Sequence, residues 1–132
     1  CEKYRMVRRN RELLQELGYT VQTAISGEQA LEMLNKRQPD LLVLDMVMPG
    51  GMDGIETLRA IKKIRPLVEV IMLTGHANME VAITGMELGA FDYLMKPMDI
   101  DELLYKLQDA FKRKLLQEQK IHVVKEEMGI QT

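Results

Sequence analysis

Three polar residues in this sequence each close an apolar run. Asp45 follows Leu41-Leu42-Val43-Leu44, Thr74 follows Val68 to Leu73, and Lys96 follows Phe91 to Met95. If the three runs are parallel strands of one sheet, a carboxylate, a hydroxyl and an ammonium emerge together at the carboxyl edge. That edge is where open α/β sheets bind ligands. A carboxylate is ionised at neutral pH. Taken singly, each residue has an ordinary explanation: a helix cap, a β-branched strand residue, a solvated charge. Their recurrence at three successive run ends is the informative feature. Pro97 confines Lys96 to extended backbone, which helps to fix its aim.

The surrounding pattern supplies the elements such a site needs. Met6, Val7, Leu13, Leu14 and Leu17 recur at mostly helical spacing, and Gly18 reads as a stop. Thr20 to Ile25 alternates as a strand does. Ser26 and Gln29 mark a capping box before Ala30, Leu31 and Leu34. The run at Leu41 is continuously apolar, which fits a strand buried on both faces. Asp53, with Glu56 three residues on, caps a helix carrying Ile55, Leu58, Ile61 and Ile64, and Pro66 ends it. A helix around Met79 to Leu88 closes at Gly89, and a last helix runs from Asp99 to at least Leu116. Strands alternating with helices predict an α/β fold with a doubly wound parallel sheet and helices on both faces. The predicted organisation is one domain over residues 1–116, then a helical extension, linker or tail over 117–132.

Composition narrows the function. Basic and acidic side chains number 18 and 20, so no electrostatic footprint for nucleic acid is expected. The basic runs Lys62-Lys63-Ile64-Arg65 and Lys112-Arg113-Lys114 read as solvated helix faces. No apolar run approaches the ~20 residues of a membrane span. A single cysteine suits a reducing compartment, and the expected location is the cytoplasm. That cysteine is Cys1, which favours a trimmed N-terminal piece over a mature lipoprotein. His76 and His122 lack partners at metal-ligand spacing and read as solvated. Methionines such as Met33, Met72 and Met86 read as flexible core filler.

The string Asp45-Met46-Val47-Met48-Pro49, then Met52-Asp53-Gly54, then Met72-Leu73-Thr74-Gly75, then Phe91-Asp92-Tyr93-Leu94-Met95-Lys96-Pro97 resembles the receiver domain of bacterial two-component response regulators. The likeness covers roughly Lys3 to Leu116 and has one extra glycine, at Gly50-Gly51. It implies a flavodoxin-like sheet and a phosphoryl switch, with no enzyme activity beyond the domain's own phosphorylation and dephosphorylation. Asp45 would accept a phosphoryl group from a sensor histidine kinase, with Mg²⁺ held by Asp45 and the Val47 carbonyl. Lys96 would stand on a phosphoryl oxygen and Thr74 would donate a hydroxyl hydrogen bond. Tyr93 would be an aromatic switch, and a downstream effector domain or protein would read the change.

The family also has a first strand ending in two acidic residues that help hold the metal. This chain shows no such strand, and the pair falls at Cys1 and Glu2. Glu2 is the candidate third metal ligand; Cys1 is a poor partner for Mg²⁺. The absent strand would lie between the runs ending at Ile25 and Asp45. Ile121-His122-Val123-Val124 is one filler, donated within the chain or in a strand-swapped dimer; a helix extension is the favoured reading of that tetrapeptide. A homodimer is a further possible assembly. The alternative function is a phosphorylation-independent interaction module with a degenerate metal site. An aspartyl-nucleophile hydrolase would call for a second acid two residues after Asp45, where Val47 stands.

Overall fold

The computed structural model describes residues 11–24, 26–46, 53–75 and 79–130. Within them helices and strands alternate from Gly27 onward. Helix α1 covers residues 11–16 of the described chain. It is followed by α2 (Gly27–Lys36), β1 (Leu41–Asp45), α3 (Gly54–Ile64), β2 (Glu69–Thr74), α4 (Met79–Glu87), β3 (Asp92–Met95) and α5 (Ile100–Glu127). The strands form a parallel sheet in the order β1-β2-β3. Register runs from Leu41 opposite Glu69 to Asp45 opposite Leu73, and from Ile71 opposite Asp92 to Thr74 opposite Met95.

Local chemistry sets the boundaries. Ser26 Oγ accepts from the Gln29 amide at 3.1 Å, Asp53 Oδ1 from the Glu56 amide at 2.8 Å, and Asp99 Oδ1 from the Asp101 amide at 2.9 Å. Each acceptor satisfies an amide that the first helical turn leaves open. At the other end of α1, Gly18 adopts φ 95°, and the Tyr19 amide reaches back to the Leu14 carbonyl at 3.0 Å. Gly89 does the same after α4, with φ 104° and the Ala90 amide on the Gly85 carbonyl. A side chain at these positions would be strained.

Both faces of the sheet are covered. Val70 and Met72 point into a core with Leu34 of α2, Leu58 and Ile61 of α3, and Val81 of α4 at its margin. Ile71 points the other way, to Leu94 and to Leu103, Leu107 and Ala110 of α5, with Leu14 of α1 alongside. This alternation is the period-2 rule of a strand buried on both sides.

Three expectations need correction. Residues 20–24 carry no strand ladder; alternation reports a side-chain pattern, whereas a strand exists only where a neighbour pairs with it. Residues 121–124 continue α5, in line with the favoured helix-extension reading, and supply no strand. Met86, read as core filler, is 40% exposed and outside the core; on α5 the buried side chains are Leu103, Leu107, Ala110 and Lys114. The two basic runs are also not simply solvated. Lys62 Nζ donates to the carbonyls of Pro66 and Val68, both at 2.9 Å, and burial lowers its pKa. Arg113 pairs with buried Glu69, and Lys114 Nζ, only 8% exposed, lies 2.6 Å from Asp40 Oδ1.

Burial alone would lower the pKa of Lys114, but its hydrogen bond to Asp40 and the charges of Asp40 and Glu118 outweigh that and raise it above 10.5. A raised lysine pKa stabilises the fold fully below the unfolded value and loses that contribution as pH climbs through the folded value. Wild type should therefore exceed Lys114→Met in stability by about 1 kcal/mol near pH 8, because Asp40 is exposed and screened. The gap should close in the window above pH 10.5, as read by urea titration at several pH values.

Candidate functional site

Asp45, Thr74 and Lys96 stand at the carboxyl ends of β1, β2 and β3, as their spacing implied. The sheet stitches these ends together: the Met46 amide donates to the Leu73 carbonyl at 2.9 Å, and the Lys96 amide to the Thr74 carbonyl at 2.8 Å. Lys96 Nζ lies 2.9 Å from Asp45 Oδ1 and 2.8 Å from Oδ2. An ammonium centred on both carboxylate oxygens holds the carboxylate aimed. Both groups stay reachable, at 39% exposed for Lys96 and 27% for Asp45. Thr74 is fully buried, with Oγ1 3.4 Å from the Gly75 carbonyl oxygen. The Lys96–Pro97 peptide bond is cis.

The N-terminus of α3 closes the site from the side. Asp53 caps it, and Thr57 Oγ1 donates to the Asp53 carbonyl at 2.8 Å. Gly54 then presses on the residue that follows Asp45. A Cβ at Gly54 would sit 2.5 Å from Met46 Cα and 2.7 Å from its carbonyl oxygen. Those are backbone atoms at the end of β1 and cannot swing aside. Gly54→Ala should cost about 1–3 kcal/mol of folding free energy through overpacking, measured by chemical denaturation. The sequence reading placed Gly54 within a motif without assigning it this packing role.

Tyr93 is half-buried at the margin of the first core, and Lys106 of α5 stands over its ring. Sequence reasoning missed Lys106, which carries no motif of its own. Glu2, Val47 and His76 lie outside the described residues. Among the described residues no three His, Cys, Asp or Glu gather into a metal-binding group. Asp45 is nonetheless a hard oxygen donor that stays partly exposed at the sheet edge, and Mg²⁺ commonly takes only one or two carboxylates with water and phosphate oxygens. The donor chemistry fits that ion. No described helix is long and apolar enough to cross a membrane.

Residues 2–108 match the family model of the response regulator receiver domain. The chain belongs to that family. The receiver is 40% identical over 104 residues to sporulation initiation phosphotransferase F of Bacillus subtilis, covering 79% of this chain and 80% of that protein. It is 43% identical over 98 residues to the transcriptional regulatory protein ZraR of Escherichia coli O157:H7, covering 74% of this chain and 22% of that one. The chain thus spans about a fifth of the length of such regulators. Among solved structures it superposes on the receiver domain of NtrX from Brucella abortus with a TM-score of 0.75 at 34% identity, covering 78% and 87% of the two chains. A receiver domain protein from Clostridium thermocellum gives 0.80 at 36%, covering 86% and 91%. These likenesses establish a flavodoxin-like two-component signalling domain, of a family whose members work with histidine kinases and effector domains.

Proposed function

We propose that Asp45 is the phosphoacceptor of this receiver. A carboxylate oxygen attacks the phosphorus of a kinase phosphohistidine, an O–P bond forms, the P–N bond breaks, and the imidazole leaves with a proton. No base is needed, because the nucleophile is already an anion. The obstacle is charge, since one anion must approach another. Lys96 meets it, because an ammonium already seated on the carboxylate can shift onto an incoming phosphoryl oxygen without reorganising the site. Thr74, one strand over, would donate its hydroxyl to the attached group. Asp45, the Val47 carbonyl and Glu2 would hold Mg²⁺. When bound, that ion would spread charge between the carboxylate and the phosphoryl oxygens.

The observation that supports this reading is the two-point contact of Lys96 on Asp45 at the edge where the sheet ends. On the attached phosphoryl group, Thr74 would shift and Tyr93 would turn inward, changing the surface that an effector reads. The direct test is incubation with acetyl phosphate and Mg²⁺, followed by intact-mass measurement. Uptake of one phosphoryl group, labile to hydroxylamine as an acyl phosphate should be, is the expected result. A folded chain that takes up none would be a phosphorylation-independent interaction module.

A further inference from the structure

We propose that Lys106 is a positioning residue for Tyr93, holding its ring in its half-buried place at the margin of the core until Asp45 is modified; the proposal rests on the reading of Asp45 as phosphoacceptor. Lys106 Nζ donates to the Tyr93 carbonyl at 2.6 Å and lies 3.3 Å from Asp92 Oδ2 and 3.4 Å from Glu102 Oε1. It stands 5.4 Å from the centroid of the Tyr93 ring. The side chain is only 18% exposed, so this lysine is committed to β3 instead of to water. Asp92 is committed too, its Oδ1 accepting from the Tyr93 amide at 2.8 Å. Main chain, flanking carboxylate and ring of one residue are thus gripped from α5.

The grip divides into two parts with different consequences. The contacts to the Tyr93 carbonyl and to Asp92 fix the strand and do not depend on where the ring lies. The ammonium over the ring does depend on it, since the attraction is to the aromatic face. Turning the ring into the core forfeits that contact alone. Lys106 therefore weights the ring toward the half-buried place it holds, and any ligand of Asp45 that favours turning it further in must work against it. By linkage, removing the cation tightens such a ligand by the factor that it shifts the ring.

Beryllofluoride with Mg²⁺, a phosphoryl mimic, is the probe, and ring-labelled tyrosine the reporter. In ligand-free Lys106→Gln the Tyr93 ring signals should move toward their beryllofluoride-bound positions. The apparent beryllofluoride affinity should tighten about 2- to 5-fold, the range expected for losing one partly exposed cation–π contact. Lys106→Arg, which keeps a cation over the ring, should behave as wild type. In wild type, the proton cross-relaxation between the Lys106 ε-methylene and the Tyr93 ring should vanish on beryllofluoride binding, a measurement that needs no variant. Unmoved ring signals in Lys106→Gln, unchanged affinity, or a cross-relaxation that survives the ligand would overturn the proposal. If wild type binds no beryllofluoride, the reading of Asp45 falls, while the ring position in ligand-free Lys106→Gln still decides the role of Lys106.

Discussion

Asp45→Asn should reduce acetyl phosphate labelling to background while leaving the fold intact. The amide is the same size as the carboxylate, so nothing in the packing of β1 changes. What goes is the negative oxygen, and an amide oxygen is no substitute as a nucleophile toward phosphorus. The variant also loses the ion pair with Lys96, but both partners are partly exposed, and such pairs contribute little to stability. Unfolding curves should therefore nearly coincide with those of wild type. Lys96→Met tests the same site from the other side. Asp45 remains without the Lys96 ammonium, and uptake should fall roughly 10²-fold, the order lost when one preorganised charge-stabilising group is removed. Labelling that persists in Asp45→Asn would assign the phosphoryl group to a different residue.

The largest expected effect on stability lies at the opposite end of the sheet. Glu69, at the start of β2, is 1% exposed, and its carboxylate meets Arg113 Nε at 2.5 Å and Nη2 at 3.1 Å. The guanidinium also stacks 4.9 Å from the centroid of Phe91. Arg113→Met would strand a buried carboxylate, a change that typically costs about 3–5 kcal/mol. Arg113 is partly exposed and Lys62 lies close enough to respond to the charge of Glu69, so the lower end, about 3 kcal/mol, is expected. For a chain of this size that is a fall in Tm of about 10 °C. The double variant Glu69→Leu/Arg113→Met should recover most of the loss, because replacing a buried pair by apolar groups is often neutral or better. Circular dichroism melts of the two variants check both halves. An Arg113→Met protein within about 0.5 kcal/mol of wild type would mean that Glu69 is satisfied by other means.

The contrast between these two ends shows what the sequence could reveal. The pairing of Asp45 with Lys96 was legible because each residue terminates an apolar run, and strand ends converge by topology. The caps at Ser26, Asp53 and Asp99 were legible because capping is decided within four residues. Glu69 with Arg113 was not. The glutamate sits inside V-E-V-I-M-L, where one polar residue leaves the strand pattern unchanged, and its partner is 44 residues away. Lys106 over Tyr93 escaped for the same reason: a contact across elements has no periodicity. Residues 20–24 failed in the opposite way, since a strand-like pattern was present without a ladder to make it a strand. The apolar stripe of α5 thins after Leu116, which fits a helical extension, a linker or a tail; the helix runs on because no breaker occurs before Gly129, which adopts φ 72°.

That late ending has a geometric consequence. The last α5 side chain buried against the body is Lys114, so the stretch from Leu115 to Glu127 stands clear of it. At about 1.5 Å per residue this is a rod of about 20 Å. Whatever is joined beyond it inherits an azimuth as well as a distance. Inserting one residue within the rod would swing that cargo by about 100° around the axis, whereas inserting seven would return it nearly to its starting heading, about 10 Å farther out.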